Sequence, residues 1–316
     1  MAKAPAPESR ERTALRLLKS SAQRSYDPDV DLDWDAPLDE ELDFHPPEAI
    51  SLYGTRLWEQ LTPEQRRELG RHEVACVASL GLLSELGLMH ALIKVAGDED
   101  PTSNHMRYAL TEVADECRHS TMFGRAIDLG GTGAYQIPRW MRALMPLGGL
   151  LPTGALTWAA ILLVEDLTDK QQRETMDDER IQPAIRMVNR IHVIEEARHM
   201  TFAKAELSRT AAAASPAELA LTRVALAGMA FGISRIRVLP RVYRSVGINP
   251  LRGWVAAQRN PHYHATLARY AERMVATYRE AGLIEGPVAL FLWNRSNLLP
   301  RHGFEARSTS ATEVAS

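Results

Sequence analysis

Two five-residue words nearly repeat in the chain. One is Asp115-Glu116-Cys117-Arg118-His119, the other Glu195-Glu196-Ala197-Arg198-His199, and both read acid-Glu-x-Arg-His. On a helix, residues i and i+3 share one face, with Cβ atoms about 5–6 Å apart. Glu116 with His119, and Glu196 with His199, therefore each present a carboxylate and an imidazole in a common direction. Oxygen and imidazole donors without thiolate suit iron or manganese. A dinuclear carboxylate centre takes one such pair from each of two helices and a single glutamate from each of two more. A lone Glu-x-x-His is ordinarily a solvated helix face. The recurrence of the whole word, with both acids on apolar stripes (Met106, Ala109, Val113, Phe123 and Ile185, Phe202, Ala203), is what favours chemistry.

The remaining carboxylates are sought where an acid interrupts an apolar run. Glu85 lies inside the stretch from Val77 to Met89, and Glu165 follows Trp158-Ala159-Ala160-Ile161-Leu162-Leu163-Val164. A lone buried carboxylate is strongly unfavourable, so each needs a partner or a metal. His192 stands four residues before Glu196 and seven before His199, on the same face, and adds a third imidazole. The expected metal ligands are thus Glu85, Glu116, His119, Glu165, His192, Glu196 and His199. Four carboxylates with one bridging oxide neutralise two Fe³⁺ ions. The free nitrogen of a ligand histidine is normally held by a second group. Asp115 is expected to reach His199, and Glu195 to reach His119, with Arg118 and Arg198 pairing those acids. Glu112 would over-neutralise the set and is read as an outer or solvated residue; His72, His90 and His105 are read as structural.

Helices must position these groups. The pattern predicts one from Pro63, after Thr62, through roughly Val95. Asp100-Pro101 is expected to cap the next, which runs to about Leu129 and stops at Gly130-Gly131. Others are expected over roughly Thr153 to Thr175, Pro183 to Ala211, from Ser215-Pro216 onward, and near His262 to Ala281. Few runs alternate with a period of two, so the fold class is all-α, a helical bundle. Residues 1–45, with Asp27, Asp29, Asp31, Asp33, Asp35 and Asp39, read as an N-terminal arm, partly disordered. Residues 46–300 form the helical domain, and 301–316 a loose tail. The most apolar stretch, Leu144 to Val164, is broken by Pro146, Pro152, Gly148, Gly149 and Gly154, and reads as a loop feeding a buried helix rather than a membrane span.

With 316 residues, 45% of them hydrophobic, the chain can bury a large core. Its net charge of −3 gives no argument for a nucleic-acid or anionic-membrane partner. Cys76 and Cys117 cannot build a disulfide framework, and Cys117 is expected to be buried. With no apolar signal stretch at the N-terminus, a cytoplasmic setting is expected. There is no complete Gly-x-Gly-x-x-Gly, so electrons are expected from an external donor.

The series Glu85, Glu116-x-x-His119, Glu165, His192-x-x-x-Glu196-x-x-His199 resembles the ligand pattern of the p-aminobenzoate N-oxygenases, a family of non-haem di-iron arylamine oxygenases. The resemblance covers roughly residues 45–300, and the third histidine sets it apart from other ferritin-like groups. The interval from Glu116 to Glu165 is shorter than in the best-known member. The resemblance implies a ferritin-like bundle with additional helices and two iron ions, manganese being a possible substitute. It also implies O₂-dependent oxidation of an aromatic amine through hydroxylamine towards nitro. Competing readings are a di-iron C–H hydroxylase or desaturase on another small molecule, and a ferroxidase or iron-binding protein. Expected partners are O₂, a small organic substrate, an electron donor and a second copy of the chain in a homodimer, with neither nucleic acid nor membrane. Ala225 to Phe231 could line a substrate pocket. Arg235, Arg237, Arg241 and Arg244 could hold a substrate carboxylate.

Overall fold

Proline at the first helical position, where its missing N–H is no loss, recurs along the chain at 63, 183, 216, 250, 261 and 287. The computed structural model describes residues 9–136 and 153–300. They form α1 (Arg10–Gln23), α2 (Arg56–Glu59), α3 (Pro63–Gly97), α4 (Asn104–Leu129), α5 (Ala155–Met176) and α6 (Pro183–Ala213). There follow α7 (Pro216–Ile236), α8 (Pro250–Arg259), α9 (Pro261–Tyr270), α10 (Glu272–Glu280) and α11 (Pro287–Arg295), with 3₁₀ turns at Pro47–Ala49 and Pro240–Val246. Among the described residues there is no strand, only a bridge between Asp43 and Ile181.

Four long helices make the frame. α3 lies along α4 and α5 along α6, and the two pairs meet through α4 with α6 and α3 with α5. Short connections force each sequential pair to run antiparallel. α7, α9 and α10 cover the outer side of α5, and α11 packs on α7. Trp158, Phe202, Tyr278 and Trp293 fill the main core, where the Tyr278 hydroxyl donates to the Ala159 carbonyl at 2.6 Å.

Local chemistry sets the helix starts. Thr62 and Gln65 form a reciprocal cap on α3: the Thr62 hydroxyl accepts from Gln65 N (3.3 Å), and the Gln65 side chain accepts from Thr62 N (3.0 Å). Thr62→Ala is expected to lower stability by about 1 kcal/mol in a urea titration, without changing metal content, because the ligand on α3 lies six turns away.

Some expectations are corrected. α4 is capped by Ser103, which accepts from Met106 N, while Asp100 closes a turn on Thr102 instead. Cys117 is exposed, not buried: it is one residue, or about 100°, from the ligand stripe and so turns outward beside Met89. The helix expected near His262 to Ala281 is two helices meeting at Ala271. The arm carries α1, packed on α4 and α6 through a narrow stripe of Thr13, Ala14, Leu17 and Ser21. Glu11 of α1 accepts from Asn104 N and His105 N, completing the start of α4. The acidic stretch after α1 is mostly exposed. Residues 1–8, the tail 301–316, and 144–152 of the apolar stretch lie outside the described residues.

Candidate metal centre

α3, α4, α5 and α6 each turn an acid inward. Glu85, Glu116, Glu165 and Glu196 are all buried, as are His119, His192 and His199. Ligand-type atoms gather in three overlapping groups: Glu116, His119, Glu196 and His199; Glu85, His119 and His192; Glu165, His192 and Glu196. Within each group these atoms lie within 4.8 Å of one another. His199 Nδ1 is 2.9 Å from both Glu116 and Glu196, and His119 Nδ1 is 3.2 Å from Glu116 and 3.3 Å from Glu196. His192 Nε2 approaches Glu85 at 3.5 Å and Glu196 at 3.8 Å. Shared membership (Glu196, His119 and His192 each belong to two groups) gives the cluster the size of a dinuclear site.

Outside this set the contacts run crosswise between α4 and α6. His119 Nε2 meets Glu195 at 2.9 Å, and His199 Nε2 meets Asp115 at 3.2 Å. With those N–H groups donated, both Nδ1 atoms are left facing the cluster. Arg118 pairs with Asp115 and lies 3.8 Å from Glu195; Arg198 lies 3.4 Å from Asp115 and 3.6 Å from Glu195. The segment after α1 seals this layer: Tyr26 N donates to Glu195, and Arg198 donates to the Arg24 carbonyl.

The electrostatics fit a cation. Burial, reinforced by Glu116, raises the Glu85 carboxyl well above the usual range; burial, reinforced by Glu196 and Glu85, does the same to Glu165. Burial alone would lower the imidazoles of His119 and His199, but carboxylates outweigh it, Glu116 for the first and Glu196 for the second, and both are held well above the ordinary value. His192 is lowered by burial to about 4, so it stays neutral. Glu116 is instead lowered to about 2 and Glu196 well below the usual range, against burial, by the imidazoles beside them. The cluster is thus tolerated by protons on Glu85, Glu165, His119 and His199 that metal ions would displace. Glu85 Oε2, Glu196 Oε2 and His192 Nε2 lack a hydrogen-bond partner, as donors aimed at a metal would.

A cavity opens onto Glu85, Glu165 and His192, walled by Val77, Ala78, Gly81, Phe123, Val164 and Val188. This slot has a volume of about 720 Å³, part of it open to solvent. Its polar residues are His45, Thr168, Gln171, Gln172, Thr175 and Asn189. Burial and the nearby Arg237 lower His45 to about 3, leaving it neutral. Ala225 to Phe231 do not line this slot. Arg237 is buried and donates to Gln171 behind it. Arg235 is bonded to Gln258 and the Arg295 carbonyl, and Arg241 to the Gln136 carbonyl. The polar row was readable as Glu165, Thr168, Gln172 and Thr175 at three- and four-residue spacing on α5; His45 had no such signal. Glu112 is fully buried rather than solvated.

The family model described as P-aminobenzoate N-oxygenase AurF matches residues 7–282. Uncharacterized proteins of Mycobacterium tuberculosis and Mycobacterium bovis are each 30% identical over 194 residues, covering 59% of this chain and 57% of theirs. The match therefore spans little more than half the length of these relatives. Among solved structures, two variants of an R2-like ligand-binding oxidase with a reconstituted Mn/Fe cofactor are 13% and 12% identical. They cover 94% and 95% of this chain, and 94% and 96% of theirs, with TM-scores of 0.40 and 0.39. That likeness is too low to argue from.

Proposed function

Because the chain belongs to the p-aminobenzoate N-oxygenase AurF family, we propose that it is a di-metal oxygenase that N-oxygenates a small aromatic amine with O₂. Glu85, Glu116, His119, Glu165, His192, Glu196 and His199 would hold two iron ions, with manganese as a possible substitute. Bound there, the metals would supply the redox chemistry that makes O₂ reactive. The observation that carries the reading is the slot that ends on Glu85, Glu165 and His192, bringing a substrate from outside to the cluster.

The chain's own residues have separable tasks. Asp115 and Glu195 fix the orientation of His199 and His119, and Arg118 and Arg198 hold those acids in place. Val77, Ala78, Phe123 and Val188 exclude water from the approach. Gln171, Gln172, Thr175 and Asn189 offer uncharged hydrogen-bonding groups that orient a ligand. An external electron donor, a cytoplasmic setting and a homodimer complete the proposal.

The test uses protein purified from iron-supplemented cells. It is expected to contain about two iron ions per chain and, with O₂ and a reductant, to convert arylamines to hydroxylamine and nitro products visible by mass spectrometry. C–H hydroxylation or desaturation in the same substrate panel would point to the hydroxylase reading instead. Iron oxidation with no organic product would point to a ferroxidase, and metal-free protein would sink all three.

A further inference from the structure

α4 carries a second row of buried polar side chains, which the tasks above leave unused. His105, Tyr108 and Glu112 lead at spacings of three and four to the ligand Glu116, four residues on, so all four stack on one helix face. Each is at most 1% exposed. The Tyr108 hydroxyl and both carboxyl oxygens of Glu112 have no hydrogen-bond partner, a state that buried polar groups rarely keep without purpose. At the outer end, His105 lies 3.7 Å from Glu99 and 3.4 Å from Glu206, and partly exposed Arg10 bridges the same two acids at 2.5 and 3.1 Å. Phe202 packs against the rings of both His105 and Tyr108 at 4.7 Å, and Trp158 packs behind Phe202 at 5.4 Å, closing the flank.

The row and the slot lie on opposite sides of the cluster. The slot touches α4 at Phe123 and Ala126, beyond His119, whereas the row precedes Glu116. We propose that His105, Tyr108 and Glu112 are a proton-delivery column that serves the centre from the end opposite the substrate slot. This rests on the oxygenase reading. When one atom of O₂ enters the substrate and the other leaves as water, two protons and two electrons are consumed, the electrons coming from the external two-electron donor. The Glu112 O–H bond breaks as the departing oxygen gains its proton. Tyr108 stands between Glu112 and the His105 end, and a proton relayed past its hydroxyl through bridging water reloads the Glu112 carboxylate from the ion-paired cluster that meets solvent. Glu112 suits the task by position, sealed from solvent and one helical turn before the ligand Glu116 on the same face of α4.

The experiment compares wild type with Glu112→Gln, Glu112→Ala and Tyr108→Phe in the full chain. Bound iron, the rate of a single O₂-consuming turnover after chemical reduction, and the protonated-carboxyl infrared band are measured across pH and in D₂O. Glu112→Gln is expected to keep its iron, lose the infrared band and slow about 100-fold. Tyr108→Phe is expected to slow about tenfold with the band retained. Added formate should restore Glu112→Ala, which a merely structural role would not allow. Loss of iron from Glu112→Gln would make Glu112 a ligand and overturn the column, as would an unchanged rate or a formate-insensitive Glu112→Ala. Wild-type protein that takes up no iron would remove the oxygenase reading, and the column with it.

Discussion

Glu196→Ala is expected to lose essentially all bound metal, taking an iron-fed preparation from about two ions per chain to near none. Glu196 belongs both to the group with Glu116, His119 and His199 and to the group with Glu165 and His192, so its removal strips a ligand from each half of the cluster. Glu85 belongs to neither of these but to the third group alone, with His119 and His192, and Glu85→Ala is expected to keep part of its metal. The loss should also appear in thermal melts. A ligand at a thousand times its dissociation constant stabilises the native state by about 4 kcal/mol. Wild-type protein should therefore melt several degrees lower after chelation, and Glu196→Ala should melt alike with and without chelator. Elemental analysis decides it: a Glu196→Ala protein retaining two ions per chain would mean that the cluster does not bind metal in this way.

The seven side chains of that cluster were legible because helix geometry is periodic. Once Glu116 and His119 share a face, an acid inside an apolar run, such as Glu85 or Glu165, has nowhere to point except the same interior. The crosswise contacts of Asp115 and Glu195 follow from antiparallel helices, which set the residue before each ligand glutamate opposite the partner's histidine. What stayed hidden is what depends on one or two contacts rather than on a period. α1 buries only a thin stripe, too little to stand out from a polar composition. Glu112 shares the face of Glu116, yet nothing in its neighbours says whether an acid there is solvated or sealed; that is decided by the packing of α4 against the other helices. The slot takes Phe44 and His45 from the chain before α2, and a loop's landing point is set by the packing of the helices around it.

Gly253→Ala tests a different part of the structure and is expected to reduce stability by about 3 kcal/mol or more, an overpacking effect at the upper end of its range. Gly253 lies in α8 directly against Tyr243, and a methyl group there would stand 2.7 Å from Tyr243 Cβ and 2.8 Å from its Cδ2. These atoms are the root of the ring, so no change of rotamer clears them; either α8 lifts or the 3₁₀ turn at Pro240–Val246 shifts. Tyr243 is fully buried, and its hydroxyl sits 2.9 Å from Ser51 Oγ, which donates to Glu73 of α3 at 2.5 Å. Burial raises that acid to about 7, with Ser51 opposing the rise. Moving Tyr243 therefore weakens a buried chain of hydrogen bonds as well as the packing, which is why the effect should exceed that of Thr62→Ala at the exposed cap of the same helix. Glu73 precedes Glu85 by more than three turns, so iron content should be preserved while the melting temperature falls by several degrees. A Gly253→Ala protein within about 0.5 kcal/mol of wild type would show that α8 does not press on Tyr243, and that the outer helices reach α3 by some other contact.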